Sequence, residues 1–202
     1  MKKSPSRWIQ LCVLAAFFIA FGAWIGVMVT GPSLGRLPVI GPAPFFSLLN
    51  EKNQHFSSNQ LQGRVWVADF ITTQGQGTSP VLTSEMSQLQ KEFQNKTNFR
   101  LITFTVNPHH DTPAILDQYS KKYDANLKKW FFLTGSAKQI YKIAQNGFKV
   151  AAAVDSQASK KCFVHSSSFI LVDSQGRIRG YYDACIKKNF EFLKQDLKRL
   201  LN

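Results

Sequence analysis

Val65-Trp66-Val67-Ala68-Asp69-Phe70-Ile71, then Thr72-Thr73-Gln74-Gly75-Gln76-Gly77-Thr78-Ser79, then Pro80, is the stretch whose reading decides the fold. The first seven residues are β-rich and apolar with almost no alternation, which suits a central strand covered on both faces. The next eight are polar and contain glycine, so they form a loop. Pro80 then opens a helix, because its fixed φ and missing N–H fit a first helical position, and Ser79 before it can cap. Leu82, Met86, Leu89 and Phe93 follow at spacings of four, three and four, which places them on one face of that helix.

Working outward, Phe99–Val106 reads as a second buried strand. Thr112-Pro113 opens another helix, with Ile115, Leu116, Tyr119 and Tyr123 on its inner side. Trp130–Leu133 is a short strand and Ala137–Ala144 a short helix. Phe163–Val172 and Arg177–Tyr182 form a hairpin about Asp173-Ser174-Gln175-Gly176, and Lys188–Leu201 is the closing helix, with Phe190, Leu193, Leu197 and Leu200 inward. Strand–helix–strand units followed by a hairpin and a final helix predict an α/β, thioredoxin-like fold, a central mixed sheet flanked by helices. There the loop after the first central strand meets a helix N-terminus, whose amides and dipole favour thiolate or metal chemistry.

From Trp8 to Val29 the chain has no charge, and Gln10 is its only plainly polar side chain. At 1.5 Å per residue this run spans roughly 33 Å, enough to cross a bilayer core. Lys2, Lys3 and Arg7 precede it and place the N-terminus inside. Ala20-Phe21-Gly22 is a weak cleavage site and the run is long for a signal peptide, so the segment reads as an uncleaved transmembrane helix. The expected organisation is a cytoplasmic tail at 1–7, an anchor at 8–30, a Pro/Gly linker at 31–44 and one domain at 45–202. With no Arg- and Ser-rich transit peptide, the expected location is a bacterial inner membrane, with the domain in the periplasm. The formal net charge is +13, and the domain keeps most of it. Such a domain favours anionic lipid headgroups or acidic partners, whereas its scattered Lys and Arg argue against nucleic acid. Cys12 lies in the span, and Cys162 and Cys185 lie in the exported part, where disulfides persist.

Several motifs together resemble the Sco/SenC family of membrane-anchored copper-delivery proteins. Phe46-Ser47-Leu48 and Leu61-Gln62-Gly63-Arg64 are similar to the family's opening hairpin and its Leu-x-Gly-Lys step. Phe70–Pro80 aligns with Phe-x-x-Thr-x-Cys-x-x-x-Cys-Pro. Asn107-Pro108-His109-His110-Asp111-Thr112-Pro113 is similar to Asp-Pro-x-Arg-Asp-Thr-Pro, Leu133-Thr134-Gly135 to Leu-Thr-Gly, and His165-Ser166 to His-Ser. The resemblance implies action on the copper centre of cytochrome c oxidase, with oxidase subunits or other periplasmic assembly factors as partners. It also implies a copper site of two thiolates and one histidine. Here the two cysteine positions hold Gly75 and Ser79, and His165 alone remains. Cuprous ion prefers thiolate, a serine hydroxyl is a poor substitute and glycine has no side chain, so copper binding through the usual site is not expected. Dithiol redox chemistry goes with the same sulfurs, so the loop offers no thiol nucleophile to an enzyme.

Three readings compete for the remaining cysteines. The turn pairs positions so that Cys185 falls opposite Val164 or His165, with Cys162 further along the same strand. A structural Cys162–Cys185 disulfide, two free thiols, or a relocated copper site of Cys162, His165 and Cys185 all follow. Against the first stands a register offset, since Cα atoms beyond about 7 Å are not bridged without movement. Against the last stands the odd Cys162-to-His165 spacing, which puts their side chains on opposite strand faces. His109-His110 reads as a solvated loop pair, His55 as a surface residue and Asp111-Thr112-Pro113 as a helix start. Ser79 lacks the surroundings of a hydrolase nucleophile. Two functions are therefore expected: a Sco/SenC-like accessory factor that does not use the usual copper site, or a non-catalytic thioredoxin-fold module that binds periplasmic protein.

Overall fold

The computed structural model describes residues 37–155 and 162–202, so the expected anchor at 8–30 lies outside the described residues. No helix among the described residues is long and apolar enough to cross a membrane. The strands are β1 (Gly41–Pro42), β2 (Ser47–Asn50), β3 (His55–Ser57), β4 (Val65–Ile71), β5 (Phe99–Thr105), β6 (Trp130–Thr134), β7 (Ala152–Asp155), β8 (Cys162–His165), β9 (Ser168–Val172) and β10 (Arg177–Asp183). The α-helices are α1 (Thr78–Glu92), α2 (Pro113–Lys122), α3 (Ala137–Tyr141) and α4 (Lys187–Leu201), and a π-helical turn at Lys142–Phe148 extends α3. One mixed sheet runs in the order β1-β10-β9-β4-β5-β6-β2-β3, and β7 and β8 form a separate ribbon.

β4 is buried at all seven positions because it is central and covered on both faces. It runs parallel to β5 and antiparallel to β9. Alternate residues of β4 serve two cores. Val65, Val67 and Ile71 join Leu82, Met86, Leu89, Leu116 and Leu193, the inner faces of α1, α2 and α4. Trp66, Ala68 and Phe70 join Phe46, Phe104 and Phe148 under the α3 side. Phe70 and Phe104 stack there with centroids 4.9 Å apart. The strand-to-strand alternation of side chains thus produces a three-layer α/β sandwich from one apolar run.

Local chemistry sets the boundaries. Thr112 caps α2 by accepting from the Ile115 amide at 3.4 Å, with Pro113 in the first turn. Ser136 and Gln139 form a capping box on α3. Gly176 supplies the positive φ of the β9–β10 turn, at 73°. α1 starts two residues before Pro80, at Thr78, with Gly77 as its cap residue. Ser79 does not cap it. Its side chain turns inward and is fully buried.

Two further features depart from the sequence reading. Gly41–Pro42, placed in the linker, pairs with Ile178–Arg177 as a short edge strand, a position where proline is tolerated. Leu37 packs on the core and Arg179 donates to its carbonyl and, at 2.8 Å, to that of Pro38. The expected long strand Phe163–Val172 is broken. Ser168–Val172 alone pairs with β10, whereas Cys162–His165 pairs with Ala152–Asp155. The break falls at Ser166-Ser167, two small polar residues whose side chains bond locally rather than pack. Ser166 Oγ accepts from the Ser168 amide at 3.2 Å and Ser167 Oγ donates to Asp183 at 2.7 Å.

Candidate functional site

The loop between β4 and α1 sits at the carboxyl end of the parallel strands, where open α/β sheets place their ligands. Its shape follows from a few hydrogen bonds. The Gly75 amide donates to the Thr72 carbonyl at 3.0 Å, which closes a tight turn. The Thr72 amide donates to the Ser79 hydroxyl at 3.2 Å. A methyl group added at Gly75 would lie 2.6 Å from Ser79 Oγ and 2.9 Å from Ser79 Cβ, so the two positions face one another in near contact. Disulfide-bonded residues have Cβ atoms about 3.8 Å apart. The backbone therefore keeps two positions directed at each other, drawn closer than paired sulfurs allow, and residues 72–79 contain no cysteine.

Asp111 holds this loop from the side. Its fully buried carboxylate accepts from the Thr73 amide at 3.1 Å and the Thr105 hydroxyl at 2.5 Å, and also from the Thr73 hydroxyl. His110 Nδ1 lies 2.8 Å from the same carboxylate and 3.4 Å from the Thr73 hydroxyl. Asn107 adds a bond from its amide to Gln74 Oε1 at 3.3 Å. The His109-His110 pair is thus not uniformly solvated. His110 is half-buried against Asp111, and the Asp111-Thr112-Pro113 segment locks the neighbouring loop besides starting a helix. Sequence reasoning missed this role because Thr73 and Asp111 are joined only by the β4–β5 crossover.

Beneath the loop, Asp69 on β4 is fully buried, and neither carboxyl oxygen has a hydrogen-bond partner. Burial pushes its pKa up to about 7, against a smaller opposing pull from Thr103 on the neighbouring strand. The Thr103 hydroxyl already accepts from Trp130 Nε1 at 2.9 Å. Nearby, Tyr119 and Thr83 hydroxyls lie 2.9 Å apart, and Thr83 donates to the Ser79 carbonyl at 2.8 Å. Burial raises the Tyr119 pKa as well, so this group stays a neutral hydroxyl.

The three sequence-selected ligands lie on two different elements, Cys162 and His165 on the β7–β8 ribbon and Cys185 just after β10. β9 pairs with β4 through Ala68↔Ile170, and that register continued past the ladder sets Ser166 against Thr72. His165 ends β8, where it pairs with Ala152 in the ribbon, three residues before β9 begins. Cys162 lies three residues back along β8, paired with Asp155 in the ribbon. Cys185 follows β10 as an exposed free thiol, its amide donating to Asp183 at 2.9 Å. A register shift between Ile178 and Gly180 moves Cys185 toward Ser166, one residue from the expected pairing. Among the described residues, no three His, Cys, Asp or Glu side chains form a group that could hold a metal ion.

The SCO1/SenC family model matches residues 41–202. The chain belongs to the SCO1/SenC family. The Sco domain is 32% identical to the SCO1 protein homolog of Bacillus subtilis over 155 residues, 76% of this chain and 79% of that one. Its fold is similar to a SCO1/SenC family lipoprotein from Bacillus anthracis, with a TM-score of 0.75 and 29% identity over 83% of this chain and 99% of that chain. A structure of BsSco, described as a member of the Sco family of cytochrome c oxidase assembly proteins, matches with a TM-score of 0.71 and 28% identity, covering 83% of this chain and 99% of that chain. The thioredoxin-like α/β architecture of the Sco domain is that of its family.

Proposed function

We propose that this chain is a Sco accessory factor for assembly of the copper centre of a respiratory cytochrome oxidase, and that it acts without the two-thiolate copper site. The observation that carries this reading is the β4–α1 loop. Family membership supplies the oxidase context, and the loop supplies the departure from it, with Gly75 and Ser79 packed against each other where sulfur would be needed. Cuprous ion finds no soft ligand there, and one imidazole from His165 does not retain it alone. Cys162, His165 and Cys185 remain the candidate ligands of a relocated site, and a Cys162–Cys185 disulfide is the competing state of the same sulfurs. The Trp8–Val29 run holds the domain at the outer face of a bacterial inner membrane in this proposal.

The second reading, a periplasmic protein-binding module, draws on one further observation. Asp111 and Asn107 pin the loop in place, and a pinned polar loop at a sheet's carboxyl end is suited to recognition without chemistry. Deletion of the chain from its host separates the two. An accessory factor predicts assembled oxidase with lowered copper content, restored by the unaltered chain and by a Cys162→Ser variant if a partner supplies the sulfur. Full copper occupancy in the deletion strain would reject the oxidase role.

A further inference from the structure

The opposite end of the sheet carries a cluster that the loop chemistry does not use. Arg64 precedes β4, Arg100 is the second residue of β5, Lys129 precedes β6, and Lys96 lies on the turn leading into β5. Parallel pairing aligns Trp66 with Arg100 and Leu101 with Trp130, so the first three stand side by side along the amino ends of adjacent strands. At about 3.3 Å per residue the seven-residue β4 puts this edge roughly 23 Å from the Thr72–Ser79 loop.

All four side chains are half-buried. Their visible partners are carbonyls. Arg64 and Arg100 both donate through Nη1 to the Thr97 carbonyl, at 3.2 and 2.8 Å. Lys129 donates to the Gln94 and Lys96 carbonyls, and Lys96 to the Leu201 carbonyl at 3.1 Å. Among the described residues, none of the four takes part in an ion pair. Arg100 is held below its usual pKa by burial and by the charge of Arg64, and Lys129 by burial and by the charge of Arg100. Tying down the carbonyls of the turn after α1 needs one such cation. Arg64, Arg100 and Lys129, half-buried side by side, cost free energy together unless an anion relieves them. Each guanidinium also commits only Nη1, which leaves most of its donor fork open, the geometry that takes a phosphate group.

We propose that Arg64, Lys96, Arg100 and Lys129 form a phosphate-binding edge, taking the phosphate of an anionic phospholipid headgroup or free orthophosphate. Occupied by a headgroup, this edge would face the lipid and turn the Thr72–Ser79 loop away from it. The proposal is independent of the copper reading, since it uses none of the same residues.

Residues 37–202 form a compact unit with both cores and are the protein to test. The probes are vesicles of equal parts phosphatidylglycerol and phosphatidylcholine, vesicles of phosphatidylcholine alone, and orthophosphate measured calorimetrically. The variants are Arg64→Gln/Arg100→Gln/Lys129→Gln and, as an equal-charge control on the exposed α3 side, Lys138→Gln/Lys142→Gln/Lys149→Gln. Headgroup binding predicts salt-sensitive association with the anionic vesicles only, weakened about a hundredfold in the first triple variant and only a few-fold in the control. Orthophosphate binding lost in the first triple variant, without vesicle association, assigns the same edge to free phosphate. Equal losses in the two triple variants, or no binding to any probe, would overturn the proposal. Arg64→Gln alone, whose side chain makes one long hydrogen bond, keeps the comparison valid if the triple variant melts early, and a vesicle or phosphate affinity unchanged by it would also count against the proposal.

Discussion

At the residue scale, Asp69 and Gly75 are the positions where composition and environment conflict most. Asp69 is a carboxyl group inside an apolar strand, and its proton is held up to a pKa of about 7 against an ordinary 3.8. The folded state therefore binds this proton more tightly than the unfolded chain does. The contribution is fully present below about pH 4 and is lost as pH rises through about 7. Wild-type protein should accordingly be less stable at pH 8 than at pH 5, and Asp69→Asn should gain on the order of 4 kcal/mol more at pH 8 than at pH 4. Urea midpoints at these pH values measure it, and a pH-independent effect of the substitution would contradict the assignment. Gly75→Ala tests the other position. Its methyl would meet buried Ser79 at 2.6 Å, so a loss of about 1–3 kcal/mol is expected. Gly75→Ala/Ser79→Gly removes the clash but also the acceptor of the Thr72 amide, so only part of the loss should return, read as a coupling energy between the two sites.

At the element scale, the edge of the sheet depends on one buried carboxylate. Burial works against ionisation of Asp173, but hydrogen bonds from Arg177, the backbone and Arg179 outweigh it and hold its pKa below the usual range. Arg179, only 7% exposed, spans from Asp173 at 2.7 Å to the carbonyls of Leu37 and Pro38. Asp173→Asn leaves that guanidinium buried without its anion, so a loss of about 3–5 kcal/mol is expected. The amide of Ile40, which donates to the Ile178 carbonyl at 2.9 Å, should lose hydrogen-exchange protection first. Unchanged protection would mean that β1 is held by something else.

The same scale shows what could be read in advance. β4, β5, α1, α2 and α4 were legible because each carries its own period, run or cap. The end of the Phe163–Val172 strand was not, because apolar character continues through Cys162–His165 while pairing switches partner at Ser166-Ser167. β1 escaped notice because two residues in a Gly/Pro segment carry no pattern, and its partner is about 135 residues away. The buried roles of Asp69 and Asp111 depend on contacts across the crossover that no local spacing encodes. The positions facing each other at the loop, Gly75 and Ser79, were visible from the family resemblance alone.

At the scale of the whole molecule, the Sco domain has two chemically distinct ends. One carries the loop pinned by Asp111, and the other the cationic edge. In the proposed reading the loop end lacks the two sulfurs that a thiolate copper site would need, since residues 72–79 contain no cysteine. The most direct measurement is anaerobic cuprous titration of residues 37–202 against a calibrated chelator, comparing the natural sequence with Gly75→Cys/Ser79→Cys. The natural sequence should release copper to the chelator, and the double variant, once the loop opens by the roughly 1 Å that two facing sulfurs require, should retain one equivalent with His165 as third ligand. Tight stoichiometric binding by the natural sequence, undiminished in a Cys162→Ser/Cys185→Ser variant, would contradict the account.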